Sequence, residues 1–247
     1  MKRLLFLIIL ILLSVSLLLN YVFYNKAFIP LHALRLDPIG LSYYPSTPND
    51  KEFSTRKNTI MYYGDSRSLS WPAFESKQYS FVNYAIGNQT SIQILDRFDK
   101  HVAPYKPHVI LVQMCVNDLK MIPLFPDKKV QIIKDCKKNI ARLLQKTHKL
   151  KAKIILTTVF PLGDVSLARK MLGIKEQPII HAIDEINSFI KSLKSENTVI
   201  FDSFNLLVGN NGKVKPAYSH DWLHLNKAGY KHLNQHLKIL IKKNDLL

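Results

Sequence analysis

The sequence predicts an α/β fold: a central parallel sheet covered by helices on both faces, with a membrane-spanning helix ahead of it. Three observations predict it. Short continuous apolar runs recur from residue 58 onward, amphipathic helical patterns separate them, and an uncharged apolar stretch opens the chain. Strands that are apolar without alternation are buried on both faces, as parallel strands are. Their regular exchange with helices marks βαβ units.

The first element follows Lys2-Arg3 and covers residues 4–23, LLFLIILILLSVSLLLNYVF, with Ser14, Ser16 and Asn20 as its polar interruptions. It reaches the length of a bilayer-crossing helix, about 20 residues. A cleavable signal would have a shorter apolar core and a small-x-small site. The stretch LLNYVFYNKAF contains no such site, and no lipobox cysteine follows. We read residues 1–23 as an uncleaved anchor; cleavage would make the protein secreted. The basic head favours an internal tail and an extracytoplasmic domain, although Lys26, Arg35 and Lys51 follow the span.

Residues 24–57 read as a stalk, because Pro30, Pro38, Pro45 and Pro48 interrupt any period. Leu31, Leu34, Leu36, Ile39 and Leu41 are too apolar for a solvated linker, so part of the segment is expected to pack on the domain at 58–247. Within that domain, strands are expected at 59–63, 80–86, 108–114, 153–160 and 198–203. Helices are expected at 128–150, with a stripe through Ile133, Cys136, Ile140 and Leu143, at 179–193, and at 227–242. Ligands in such sheets bind outside the carboxyl ends of the strands. Gly64-Asp65-Ser66 stands at one such end and Asn117-Asp118 at another.

Composition narrows the partners. Lys plus Arg is 35 and Asp plus Glu is 18, so the net charge is +17. Such a balance favours an anionic neighbour, and beside an anchor that means anionic lipid or an acidic envelope polysaccharide. The lysines of 128–149 are, in the simpler reading, a solvated face. No nucleic-acid recognition motif accompanies the charge. Two cysteines, Cys115 and Cys136, make neither a disulfide framework nor a metal-type spacing; both are expected to be buried free thiols. His232 and His236 lie four apart on the last helix but lack a third ligand, so they read as surface residues. No metal and no cofactor are expected.

Gly, Asp and Ser are ordinary turn residues, and Ser66 becomes a nucleophile only with a base and an acid that orients it. His224 offers the base and Asp221, three residues earlier, the acid. They follow the last strand run and precede the last helix.

Together these residues resemble the SGNH hydrolases, or GDSL esterases, a family with a flavodoxin-like three-layer αβα sandwich, over about residues 58–245. The first block matches Gly64-Asp65-Ser66. The third, Gly-x-Asn-Asp, matches Cys115-Val116-Asn117-Asp118 except at its first position. The fifth, Asp-x-x-His, matches Asp221-Trp222-Leu223-His224. The second is less clean: NYAIGNQTS (83–91) places Asn88, not Gly87, where the family's oxyanion glycine stands. Asn tolerates positive φ well among non-glycine residues, so the backbone donor is Asn88 or its neighbour Gly87.

The resemblance implies a serine esterase. Ser66 attacks, His224 relays the proton and Asp221 fixes the imidazole. The N–H groups of Ser66 and of Asn88 (or Gly87), with the Asn117 amide, hold the oxyanion. Gly64, Asp65 and Asp118 shape the turns. Arg67 is either a solvated charge, the simpler reading, or a cation that steers an anionic substrate. The loops 119–127 and 161–178 are expected to wall the pocket. Three functions fit: a membrane-anchored hydrolase of acyl or acetyl esters (a glycan O-acetyl esterase or lysophospholipase-like enzyme), an O-acyltransferase acting on envelope polysaccharide, and a non-catalytic glycan-binding or assembly protein on the same fold.

Overall fold

Alternation along each strand decides both faces of the sheet. The computed structural model describes residues 1–45 and 58–246, and the chain divides into two units, Met1–Ser42 and Tyr43–Leu247. In the larger unit, β1 (Thr59–Gly64), β2 (Ser80–Asn83), β3 (Val109–Gln113), β4 (Lys153–Thr157) and β5 (Thr198–Phe201) form one parallel sheet of order β2-β1-β3-β4-β5. That is the doubly wound flavodoxin-like order, whose switch point lies between β1 and β3.

Successive side chains of a strand point to opposite faces. Met61, Tyr63, Ile110, Val112, Ile154 and Leu156 enter one core cluster. Ile60, Tyr62, Val109, Leu111 and Ile155 enter the other. Two long helices cover the first face: Lys129–Lys149, through Ile133, Cys136, Ile140 and Leu143, and Glu176–Ser192, through Ile179, Ile183, Ile186 and Ile190. The helix Lys227–Lys243 covers the second with Tyr230, Leu233, Leu237 and Ile241. Burying one such side chain contributes about 1.5–3 kcal/mol, so the apolar stripes read from the sequence drive the layering. Both cysteines are buried free thiols.

The smaller unit is helical throughout Lys2–Leu36: α1 (Lys2–Phe23), a π-helical turn at Tyr24–Phe28, and α2 (Ile29–Leu36). The helix therefore continues past residue 23, into the segment expected to be broken by its prolines. Pro30 sits in the first turn of α2, where a missing N–H is tolerated. Leu31, Leu34 and Leu36 are exposed. In the larger unit, Tyr44 stacks on Tyr84 and donates to Ala85 O at 2.7 Å, and Tyr105 Oη donates to Pro45 O. The rest of the expected stalk, 46–57, lies outside the described residues.

Candidate active site

The site is built where β1 and β3 end. Gly64 closes β1 at φ +144°, and a Cβ there would lie 1.9 Å from Gln113 O, so only glycine lets the two strand ends meet. Asp65 then caps the short helix Ser66–Leu69 by accepting from Arg67 N at 2.9 Å. Burial pushes the Asp65 carboxyl up to about 7, and the Arg67 charge pulls against it. Ser66 thus stands first on its helix, facing the loop between β5 and the last helix.

From that loop His224 Nε2 lies 2.9 Å from Ser66 Oγ, and His224 Nδ1 lies 2.8 Å from Asp221 Oδ2. Asp221 Oδ1 also accepts the N–H groups of Leu223 and His224 at 2.7 and 2.8 Å. Burial pushes the Asp221 pKa up, but these bonds and the His224 ring outweigh it and hold the carboxyl below its ordinary value. The three side chains, read apart in the sequence, meet in one row.

The second and third blocks meet beside it. Asn88 adopts φ +62°, the conformation expected of the family's glycine position, while Gly87 does not need positive φ. Cys115 also replaces a family glycine and sits at φ +84°, buried. Asn117 Nδ2 donates to Gln89 O at 2.9 Å, joining the two loops. Asp118 shapes more than its own turn: its carboxylate accepts from Ser91 N and Oγ at 2.8 and 2.7 Å, fixing the start of the helix Ser91–Asp96.

Arg67 departs from both sequence readings. It is fully buried, neither solvated nor available to a substrate. Its Nε donates to Leu223 O at 2.8 Å and its Nη1 to Phe160 O at 3.2 Å, while Tyr230 Oη donates to Arg67 O at 2.8 Å. The guanidinium ties the serine helix to the histidine loop. Sequence cannot separate such an arginine from a solvated one, because the difference lies in carbonyls brought up from 93 and 156 residues away.

Two further supports escaped sequence reading. Arg97 is buried and donates to Gln89 Oε1, Tyr84 O and Gly64 O, bracing the end of β1 against the second block. Gly163 donates to Trp222 O at 2.9 Å, and a Cβ there would come within 2.6 Å of Asp221 O. His232 and His236 are partly exposed and pack edge to face on the last helix. Among the described residues, no group of three or more His, Cys, Asp or Glu is placed to hold a metal ion.

A cleft of about 280 Å³ opens beside the His224 and Asp221 end of the row, bounded also by Asn88 and by Met121, Leu124 and Ile174 from the 119–127 and 161–178 segments. Grooves of about 540 and 710 Å³ open elsewhere, but neither reaches Ser66, Asp221 or His224.

A five-stranded sheet of this order, with serine, histidine and aspartate side chains gathered beyond its carboxyl ends, defines a doubly wound α/β sandwich with a candidate site at its switch point. The chain belongs to the GDSL-like lipase/acylhydrolase family, whose sequence model matches residues 56–232; membership implies ester hydrolysis. Solved structures share the fold. A GDSL-like lipase from Bacteroides thetaiotaomicron is 22% identical with a TM-score of 0.60, covering 82% of this chain and 94% of that one. A lipase/acylhydrolase from Enterococcus faecalis is 16% identical, with a TM-score of 0.55 over 76% of this chain and 96% of its own. An acetyl xylan esterase is 17% identical, with a TM-score of 0.54 over 73% and 98%. No curated protein sequence matches the chain significantly.

Proposed function

We propose that the protein is a membrane-anchored serine ester hydrolase, active on acyl or acetyl esters through an acyl-enzyme, with its catalytic domain on the extracytoplasmic side. The observation that carries this reading is the unbroken row from Ser66 Oγ through His224 to Asp221, at 2.9 and 2.8 Å. His224 Nε2 takes the serine proton as Oγ attacks the carbonyl carbon, then returns it to the leaving alcohol. This needs the tautomer with the proton on Nδ1, whose N–H donates a hydrogen bond to Asp221 Oδ2. Water, deprotonated by the same nitrogen, then releases the acid and restores Ser66. The oxyanion is held by the Ser66 N–H, the Asn88 N–H and the Asn117 amide; Asn88 is preferred over Gly87 because it lines the cleft with His224.

The test uses the full-length protein in neutral detergent micelles and activated esters of acetate, butyrate and octanoate. Wild type is expected to turn over at least one of them and to be labelled by a fluorophosphonate. Ser66→Ala is expected to lose both while keeping its thermal transition. Equal labelling of the two forms, or full activity in Ser66→Ala, removes the reading.

A further inference from the structure

Two cations border the cleft that carries His224 and, among the described residues, make no ion pair. Lys120 is half-buried, three residues after Asn117. Arg169 stands on the short helix Leu167–Met171, its guanidinium 5.3 Å from the centre of the Trp222 ring. Of the nearby carboxylates, Asp65 is fully buried and caps the serine helix, and the others are engaged elsewhere. Asp164 and Glu176, which flank the Arg169 segment, are paired with Lys213, and Glu176 also with Lys170. Asp118 is taken by Ser91 and Asp221 by His224. Burial lowers the Lys120 pKa; Asp65 opposes this, and the charges of Arg67 and Arg169 add to it. Two like charges thus line one cleft without an ion pair among the described residues, and a bound anion relieves their mutual repulsion.

Their place points to one part of the substrate. His224 must deliver its proton to the leaving oxygen, so groups around His224 and Trp222 meet the alcohol half of the ester. Met121, Leu124 and Ile174 give the same cleft an apolar wall.

We propose that Lys120 and Arg169 form an anion-reading subsite on the leaving-group side of the cleft, selecting acyl esters whose alcohol bears a phosphate or a carboxylate. The proposal rests on the esterase reading and moves the recognition of charge from Arg67, which is buried, to two residues that line the cleft.

The experiment compares three octanoyl esters that share the acyl chain: those of glycerol, glycerol phosphate and glyceric acid, with full-length protein in neutral detergent. Wild type is expected to favour an anionic ester over the neutral one by about 10- to 100-fold in kcat/KM, the weight of one or two charge-assisted hydrogen bonds. Added salt should shrink that ratio. Lys120→Met and Arg169→Gln should each lower it by about tenfold, and Lys120→Arg should retain it. Preference for phosphate alone, or for both anions, identifies the source and supports the subsite either way. Because Arg169 is exposed, Arg169→Gln carries the test if Lys120→Met fails to fold. A wild-type ratio near one, or a ratio that both substitutions leave unmoved, overturns the subsite while turnover of the neutral ester keeps the esterase reading. Absence of all turnover together with absence of fluorophosphonate labelling removes both.

Discussion

Arg67 follows Ser66 directly, yet its side chain works for His224 rather than for the serine. It holds Leu223 O and Phe160 O with two different nitrogens, a fork that the single ammonium of lysine cannot reproduce. Arg67→Lys is therefore expected to leave a buried carbonyl unpaired, at about 1–3 kcal/mol. It should lower the melting temperature, and it should lower kcat more than it raises KM, because the loop that carries the base drifts. Unchanged kcat alongside the lost stability would make Arg67 a support of the fold alone. The proposed oxyanion donors have their own signature. Asn117→Ala keeps the nucleophile and is expected to cost about 10²–10³ in kcat; Asp221→Asn, which presents the wrong tautomer, about 10⁴. Steady-state kinetics on one activated ester read both, and an Asn117→Ala enzyme as fast as wild type would remove the amide from the oxyanion hole. Gly64→Ala should be worse for folding than for chemistry, since its Cβ meets a backbone oxygen that cannot move without parting β1 from β3. Loss of about 3 kcal/mol or more is expected by denaturant unfolding.

At the scale of elements, the strands and the three long helices were legible because each has a period that its burial imposes: continuous apolar runs for β1, β3 and β4, and 3.6-residue stripes for Lys129–Lys149 and Lys227–Lys243. Ser66, Asn117, Asp221 and His224 were legible because short local blocks carry them. What was not legible depends on distant partners. Arg67 and Arg97 are bound by carbonyls from other segments, and Lys120 and Arg169 line one cleft from segments far apart in the chain. Pro30 misled for a local reason, as a helix tolerates proline in its first turn. The 161–178 segment illustrates the dependence on partners. It contains the short helix Leu167–Met171 with exposed Leu167 and Met171, and its anchor is Lys213, which bonds Asp164 and Glu176. Burial pushes the Glu176 pKa up, but Lys213 and the Val165 N–H outweigh it, so the folded value lies below the unfolded one. A depressed carboxyl stabilises above its unfolded pKa, near 4.5, and loses that contribution as pH falls through the folded value. Amide-exchange protection of residues 164–175 is thus expected to drop below about pH 4.5, while β3 and β4 stay protected. Glu176→Gln should show the weaker protection already at pH 7, and unchanged exchange in that variant would mean that the ion pair does not anchor the segment.

For the whole molecule, two different forces can bring this chain to a membrane, and salt separates them. The +17 charge attracts anionic lipid, but such attraction fades once the ionic strength shortens the Debye length from about 10 Å toward 3 Å. Helix α1 offers insertion instead. Its 22 residues span about 33 Å, enough for a hydrocarbon core of about 30 Å, and mean hydropathy along its span reaches 2.7. Two of its polar side chains bond within the helix: Ser14 Oγ donates to Leu10 O and Asn20 Nδ2 to Ser16 O, both at 2.9 Å. Such bonds lower the cost of placing these side chains in hydrocarbon. Insertion buries apolar surface, and salt does not weaken that. The full-length protein is expected in the membrane fraction, retained through washes at 1 M salt and released by detergent. Removal of residues 2–23 should convert it to a form that sediments with anionic vesicles at low salt and leaves them as salt rises. Release of the full-length chain by salt alone would assign its membrane association to charge. A mature N-terminus near residue 25 would instead identify the apolar stretch as a cleaved signal, and the enzyme as one that reaches its ester from solution.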